Sequence, residues 1–285
     1  METSGFKNML DKLKRRLSGA KSKLDSLHWQ ETVIVISTVL LILLAYNVSA
    51  SKRGFAQMSQ QVSAAEADAE LSAAADVADT DEAPQTEPDI ERVILPQYEQ
   101  LHADNADFYG WLSIDGTKID YPVMYSPDEP GKYLYGDFNG NYSLSGTPFL
   151  DELCSPDSDN LLIYAHNMLD GSMFKGLLGY EKQNFCAEHP VIVFNTLYEQ
   201  QEFEVLAAFY DEIYQQTDDC FKFYQFIDAE NEDDFNYAIS QFKEKALYDT
   251  GVTAEYGQQL ITLITCTYQT ENGRFVVVAR EKAQQ

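Results

Sequence analysis

The chain has 285 residues, 45% of them hydrophobic and 13% aromatic, with a formal net charge of −26. That is enough for one good-sized domain with segments left over. Such an acidic balance excludes nucleic acid as a partner, because there is no basic stripe to displace counterions from phosphates.

The charge is unevenly spread along the chain. Residues 1–31 carry Lys7, Lys12, Lys14, Arg15, Arg16, Lys21 and Lys23, and residues 32–51 are uncharged and mostly apolar. At about 1.5 Å per residue, those 20 residues span about 30 Å, the thickness of a bilayer core. The basic residues ahead of the run place the N-terminus in the cytoplasm. Val48-Ser49-Ala50 has the small residues of a signal-peptidase site, but the region before the apolar run is longer than a signal n-region. The expectation is therefore an uncleaved, single-pass signal anchor.

Residues 52–91 follow, rich in Ala, Ser and Gln and, from Glu66 to Asp89, carrying acidic side chains without a basic one. This composition predicts a disordered acidic stalk, with some helix over 64–78. The folded part is expected over 92–285. Pro96 suits a first helical position, with Tyr98, Leu101 and Phe108 on one apolar face. Strands then dominate. Residues 111–114 and 119–123, joined by Asp115-Gly116, read as a hairpin, and 161–165, 191–194, 203–207, 260–265 and 275–279 read as further strands. Asn272-Gly273 marks the turn between the last two. One helix interrupts them: Phe235, Ile239, Phe242 and Ala246 recur at helical spacing, with Asn231 or Asp228 as its cap. The class is mostly β, a barrel or a sandwich.

Three residues could carry chemistry together. Cys266 ends the apolar strand Thr262-Leu263-Ile264-Thr265-Cys266, and His166 follows the strand ending Tyr164-Ala165. Arg274 opens the last strand, across a short turn from Cys266. A thiol needs a base or a cation nearby to raise its thiolate fraction, and a guanidinium can stabilise a developing oxyanion. Each has a bland reading as well: core filler, turn residue, edge charge. Cys154, Cys186 and Cys220 have no strand-end setting and read as structural. No spacing among the cysteines and histidines suits a metal, and neither metal nor cofactor is expected.

These residues stand in motifs that resemble the sortase family, class B. Residues 262–266 match its TLxTC signature, with Arg274 at the family's arginine position. Residues 164–168 and 170–174 resemble the block around its histidine. Residues 105–112, 119–123, 133–134, 137–140 and 146–151 resemble its opening blocks, in the same order. Ala165 departs from the glycine common before the histidine. The resemblance implies a closed eight-stranded barrel with an N-terminal helix and a late helix inserted between the sixth and seventh strands. It also implies a cysteine transpeptidase outside the cell. Cys266 would attack a threonyl carbonyl in the sorting motif of a secreted protein, and His166 would move the protons. Arg274 would hold the oxyanion, and Thr265 would contact substrate or shape the oxyanion site, the alternative being a hydroxyl that only fills a strand position. The acceptor would be an amine of peptidoglycan or a pilin lysine. Water in its place would make the enzyme a cysteine peptidase on the same scaffold.

Overall fold

The computed structural model of the protein describes residues 3–76, 92–267, 270 and 272–282. It forms two units, Met1–Ala50 and Ser51–Gln285. The first is the leading part of helix α1 (Thr3–Asp76). Its side chains from residue 31 to 46 are exposed, among them Val33, Ile34, Leu40, Leu41 and Leu43. Residues 31–69 contain a stretch long and apolar enough to cross a membrane.

The second unit is built on strands β1 (Phe108–Ser113), β2 (Asp120–Met124), β3 (Phe149–Leu150), β4 (Asn160–Tyr164), β5 (Val191–Thr196), β6 (Glu202–Glu212), β7 (Leu260–Cys266) and β8 (Gly273–Glu281). Among the described residues these eight close into a barrel in the order β1-β2-β3-β4-β7-β8-β6-β5. The β1–β2 hairpin turns at Asp115-Gly116 as expected, with Gly116 at φ +72°. β4 and β7 run parallel as neighbours in the barrel. Their apolar runs, 161–163 and 260–264, the latter broken only by the buried Thr262, fit strands covered on both faces. Leu161, Leu162, Ile163, Ile261 and Leu263 are fully buried.

Helix α2 (Pro96–Asp104) begins at Pro96 and buries Tyr98 and Leu101, whereas Phe108 belongs to β1 rather than to the helix. A 3-10 stretch (Phe174–Glu181) and the short helix α3 (Gln183–Glu188) lie between β4 and β5. Helix α4 (Glu232–Lys245) is the late insertion between β6 and β7. Asn231 caps it by accepting a hydrogen bond from the Asp234 N–H (3.1 Å). Three acidic residues occupy its first turn and Lys243 and Lys245 its last, matching the helix dipole. Its buried face of Phe235, Ala238, Ile239 and Phe242 packs on β6 through the Phe209–Phe242 ring pair and on the β6–α4 connection through Phe226–Phe242.

The expectation of a disordered stalk from residue 52 is corrected over its first part. Residues 52–69 are helical, and Phe55 and Val62 are each only 4% exposed, packed into the barrel's two hydrophobic clusters. Met58 packs against both clusters. The reason is spacing. Residues 55, 58 and 62 fall on one helical face, a pattern that the bulk Ala, Ser and Glu composition conceals. Residues 77–91 of the expected stalk lie outside the described residues.

Candidate active site

Strand register assembles the site. β4 and β7 pair in parallel from Asn160↔Leu260 to Tyr164↔Ile264, a constant offset of 100 residues. The offset persists past the end of β4. The Ala165 N–H donates to Ile264 O (3.2 Å) and Thr265 Oγ1 donates to Ala165 O (2.8 Å). Asn167 Nδ2 then donates to Cys266 O (2.9 Å). The loop that carries His166 is thereby laced along the last residues of β7. On the other side of β7, Cys266 and Arg274 are directly opposed across the antiparallel β7–β8 pair. Opposed residues of such a pair share a face. The three residues singled out in the sequence therefore come to one rim of the barrel.

Their surroundings differ. Cys266 is exposed, His166 and Arg274 half-buried. His166 Nε2 lies 2.8 Å from Leu134 O, an acceptor, so Nε2 carries the proton and donates. A neutral ring then has its lone pair on Nδ1. The Tyr135 ring lies against the imidazole, 5.2 Å between centroids. Arg274 Nη1 donates to the carbonyls of Asn272 (3.2 Å) and Gly273 (3.0 Å), folding the guanidinium over its own turn. Asp211, opposite Arg274 on β6, is committed elsewhere: it pairs with Lys245 of α4 (3.0 Å) and accepts from Tyr214 Oη (2.5 Å). A cavity of about 210 Å³ beside the β7–β8 turn is lined by Tyr210, Asp211, Glu212, Tyr214, Thr267 and Thr270.

Thr265 does not face this rim. Its side chain is 1% exposed and its hydroxyl is spent on Ala165 O, so it ties β7 to the histidine loop. Leu134, Tyr135 and Asn167 hold His166 and its loop, and no local sequence signal marks them for it. A backbone carbonyl acceptor has no side-chain signature, and a lone Tyr or Asn reads as surface.

The four cysteines separate by burial, and all are free thiols. Burial pushes the Cys154 thiol up to about 12, even though the Leu162 N–H donates to its sulfur (3.4 Å). Burial raises Cys186 as well. Both are inert packing thiols. Cys220, expected to be structural, is exposed. It lies in the connection between β6 and α4.

The acceptor of the His166 ring is itself tightly built. Gly146, at φ +61°, approaches so closely that a Cβ there would lie 2.4 Å from Leu134 O and 2.7 Å from Tyr133 O. Gly146→Ala is expected to cost about 1–3 kcal/mol through backbone strain and displacement of the 133–134 carbonyls. A lowered urea midpoint with an unchanged m-value checks this.

An exposed cysteine at a strand end, a neighbouring histidine loop and a barrel scaffold define a class, the cysteine acyltransfer enzymes. The comparisons with known proteins are specific within it. The sortase domain family model matches residues 112–282, more than half of the chain. Sortase B of Staphylococcus aureus is 31% identical over 192 residues, covering 66% of this chain and 75% of that protein. Sortase B of Listeria monocytogenes is 32% identical over 190 residues, covering 65% and 73%. Among solved structures, the Staphylococcus aureus sortase B–substrate complex aligns at TM-score 0.60 and 28% identity, over 67% of this chain and 87% of that one. Sortase B from Bacillus anthracis, at 23% identity, shares the fold at TM-score 0.66 over 85% and 100%. The chain belongs to the sortase family, class B, and is a cysteine transpeptidase.

Proposed function

We propose that Cys266 is the nucleophile, His166 the proton carrier and Arg274 the oxyanion partner of a transpeptidation. Its substrate is the C-terminal sorting motif of a secreted protein. The Cys266 thiolate attacks the threonyl carbonyl, and the carbonyl electron pair moves to oxygen, where the Arg274 guanidinium holds it. Collapse breaks the C–N bond, and protonated His166 gives its proton to the leaving amine. An acceptor amine then attacks the thioester and loses its proton to His166. The C–S bond breaks and the thiolate returns. Thr265 acts as a positioning residue through its bond to Ala165 O.

The observation that carries this reading is the shared rim: Cys266 opposite Arg274, and the His166 loop bonded to the Cys266 carbonyl. A transpeptidase must retain a thioester long enough for an amine to reach it. The acceptor is an amine of peptidoglycan or a pilin lysine. Residues 32–51 anchor the enzyme as a single-pass segment, with basic residues 1–31 in the cytoplasm and the barrel outside. The exposed apolar face of that helix supports this.

The test incubates the full chain, in detergent micelles, with a panel of sorting-motif peptides, with and without an added amine. Cleavage at Thr with an amide product that grows with amine concentration is expected. Cleavage indifferent to amine would make the enzyme a peptidase, and no cleavage across the panel would remove the assigned substrate class.

A further inference from the structure

The helical stretch that follows the apolar run is joined to both loops that hold His166. On one side, Lys52 Nζ pairs with Asp170 Oδ2 at 2.7 Å. Asp170 lies at the tip of the loop leaving β4, where its other oxygen accepts from the Ser172 N–H (3.1 Å) and Oγ (2.6 Å). That loop closes on itself through an Asn167↔Met173 bridge and a bond from the Phe174 N–H to His166 O (3.0 Å). Met173 sits at φ +54°, ψ −140°, a conformation that a side chain beyond glycine adopts only when its surroundings impose it. What imposes it includes Tyr121, whose hydroxyl accepts from the Met173 N–H (3.1 Å). Tyr121 is in turn packed edge-on by Phe55 of the helix, 5.5 Å between centroids, with both rings buried.

On the other side, Ser51 Oγ and Ser143 Oγ are hydrogen-bonded at 2.8 Å, and the Ser143 N–H donates to Tyr135 O (2.9 Å). Tyr135 lies against the His166 ring, and its neighbour Leu134 accepts the ring's proton. Ser59 also hydrogen-bonds Asp120, the residue before Tyr121. One helical face, residues 51–59, thus holds the backbone end of the histidine through one loop and the ring end through the other.

We infer that Lys52 and Phe55 are positioning residues for His166, so that the segment next to the apolar run completes the catalytic site. The inference rests on the proposed role of His166. The Lys52–Asp170 pair is poorly placed to be a stability element, with side chains 45% and 31% exposed. Pairs that open to water contribute little to folding. The pair is nonetheless formed, at 2.7 Å, with the other Asp170 oxygen held by Ser172, and against the opposing effect of burial these partners together lower the Asp170 carboxyl. A pair with little bearing on stability, set on a loop with a strained residue and a catalytic ring, acts on the geometry of that loop. Misplacing a reacting group by about 1 Å can cost up to about a hundredfold in rate.

The experiment uses the full chain in detergent micelles and the peptide selected by the panel above. It compares wild type, Lys52→Met, the reversed pair Lys52→Asp with Asp170→Lys, and His166→Ala. Lys52→Met is expected to lower kcat about tenfold while KM and Tm stay at wild-type values, and the reversed pair is expected to recover most of kcat. Wild-type kcat in Lys52→Met beside an inactive His166→Ala would overturn the inference and leave the catalytic reading standing. So would a loss of kcat that follows Tm and that the reversed pair does not restore. Activity retained in His166→Ala would instead remove the catalytic reading on which the inference rests.

Discussion

Cys266→Ala leaves the barrel folded and reduces amide formation by about 10⁴-fold or more, the scale on which enzymes lose a covalent nucleophile. The fold survives because the side chain is exposed at the end of β7 and fills no core space. Truncations of that kind change stability by about 0.5 kcal/mol or less. The chemistry fails because no other thiol can substitute. Cys154 and Cys186 are buried, their thiols pushed up by burial, and neither lies at the rim. Cys220 is exposed but sits in the β6–α4 connection, so Cys220→Ala is the matching control and retains full activity. Amide product quantified by mass spectrometry checks the loss, and circular dichroism checks the fold. Cys266→Ala with more than about a hundredth of wild-type product would move the nucleophile elsewhere.

The barrel was largely legible because its signals are local. Turn pairs such as Asp115-Gly116 fix hairpins, and apolar runs such as 161–163 and 260–264, the latter broken only by Thr262, mark covered strands. α4 was legible from its apolar spacing and its cap. Strand β3 was not, because two residues carry no period and exist only through their neighbours β2 and β4. The packed stretch 52–69 was hidden for a different reason. Its three apolar anchors are diluted by alanine, serine and acidic residues, so composition spoke for disorder where one-face spacing spoke for docking.

The site divides in the same way. Cys266, His166 and Arg274 could be named from strand ends and from the family motifs, and Arg274 lies across a local turn from Cys266, but the placing of His166 beside them depends on the 100-residue offset between β4 and β7. Parallel pairing across such a distance leaves no local trace. Thr265 shows the limit most clearly. Beside Cys266 in sequence, it points to the opposite face of the strand, and its hydroxyl serves the fold.

His166→Ala lowers transpeptidation of an amide substrate by about 10²–10⁴-fold, the usual worth of a positioned general acid and base. The size of the deficit depends on the leaving group, and that dependence separates proton transfer from mere support of the loop. An amine leaves poorly without a proton, so acylation by an amide substrate needs the imidazolium. An ester of the same peptide expels an alcohol or phenol that needs far less help. With an activated ester, the acylation deficit of His166→Ala should shrink to about tenfold or less, because the remaining requirement is the Cys266 thiolate alone. Single-turnover release of the two leaving groups measures this directly. If amide and ester acylation fell equally, the histidine would serve the thiol or the loop rather than the leaving group. Under the proposed mechanism the Leu134 carbonyl accepts from Nε2, which leaves Nδ1 as the nitrogen expected to deliver the proton to the leaving amine.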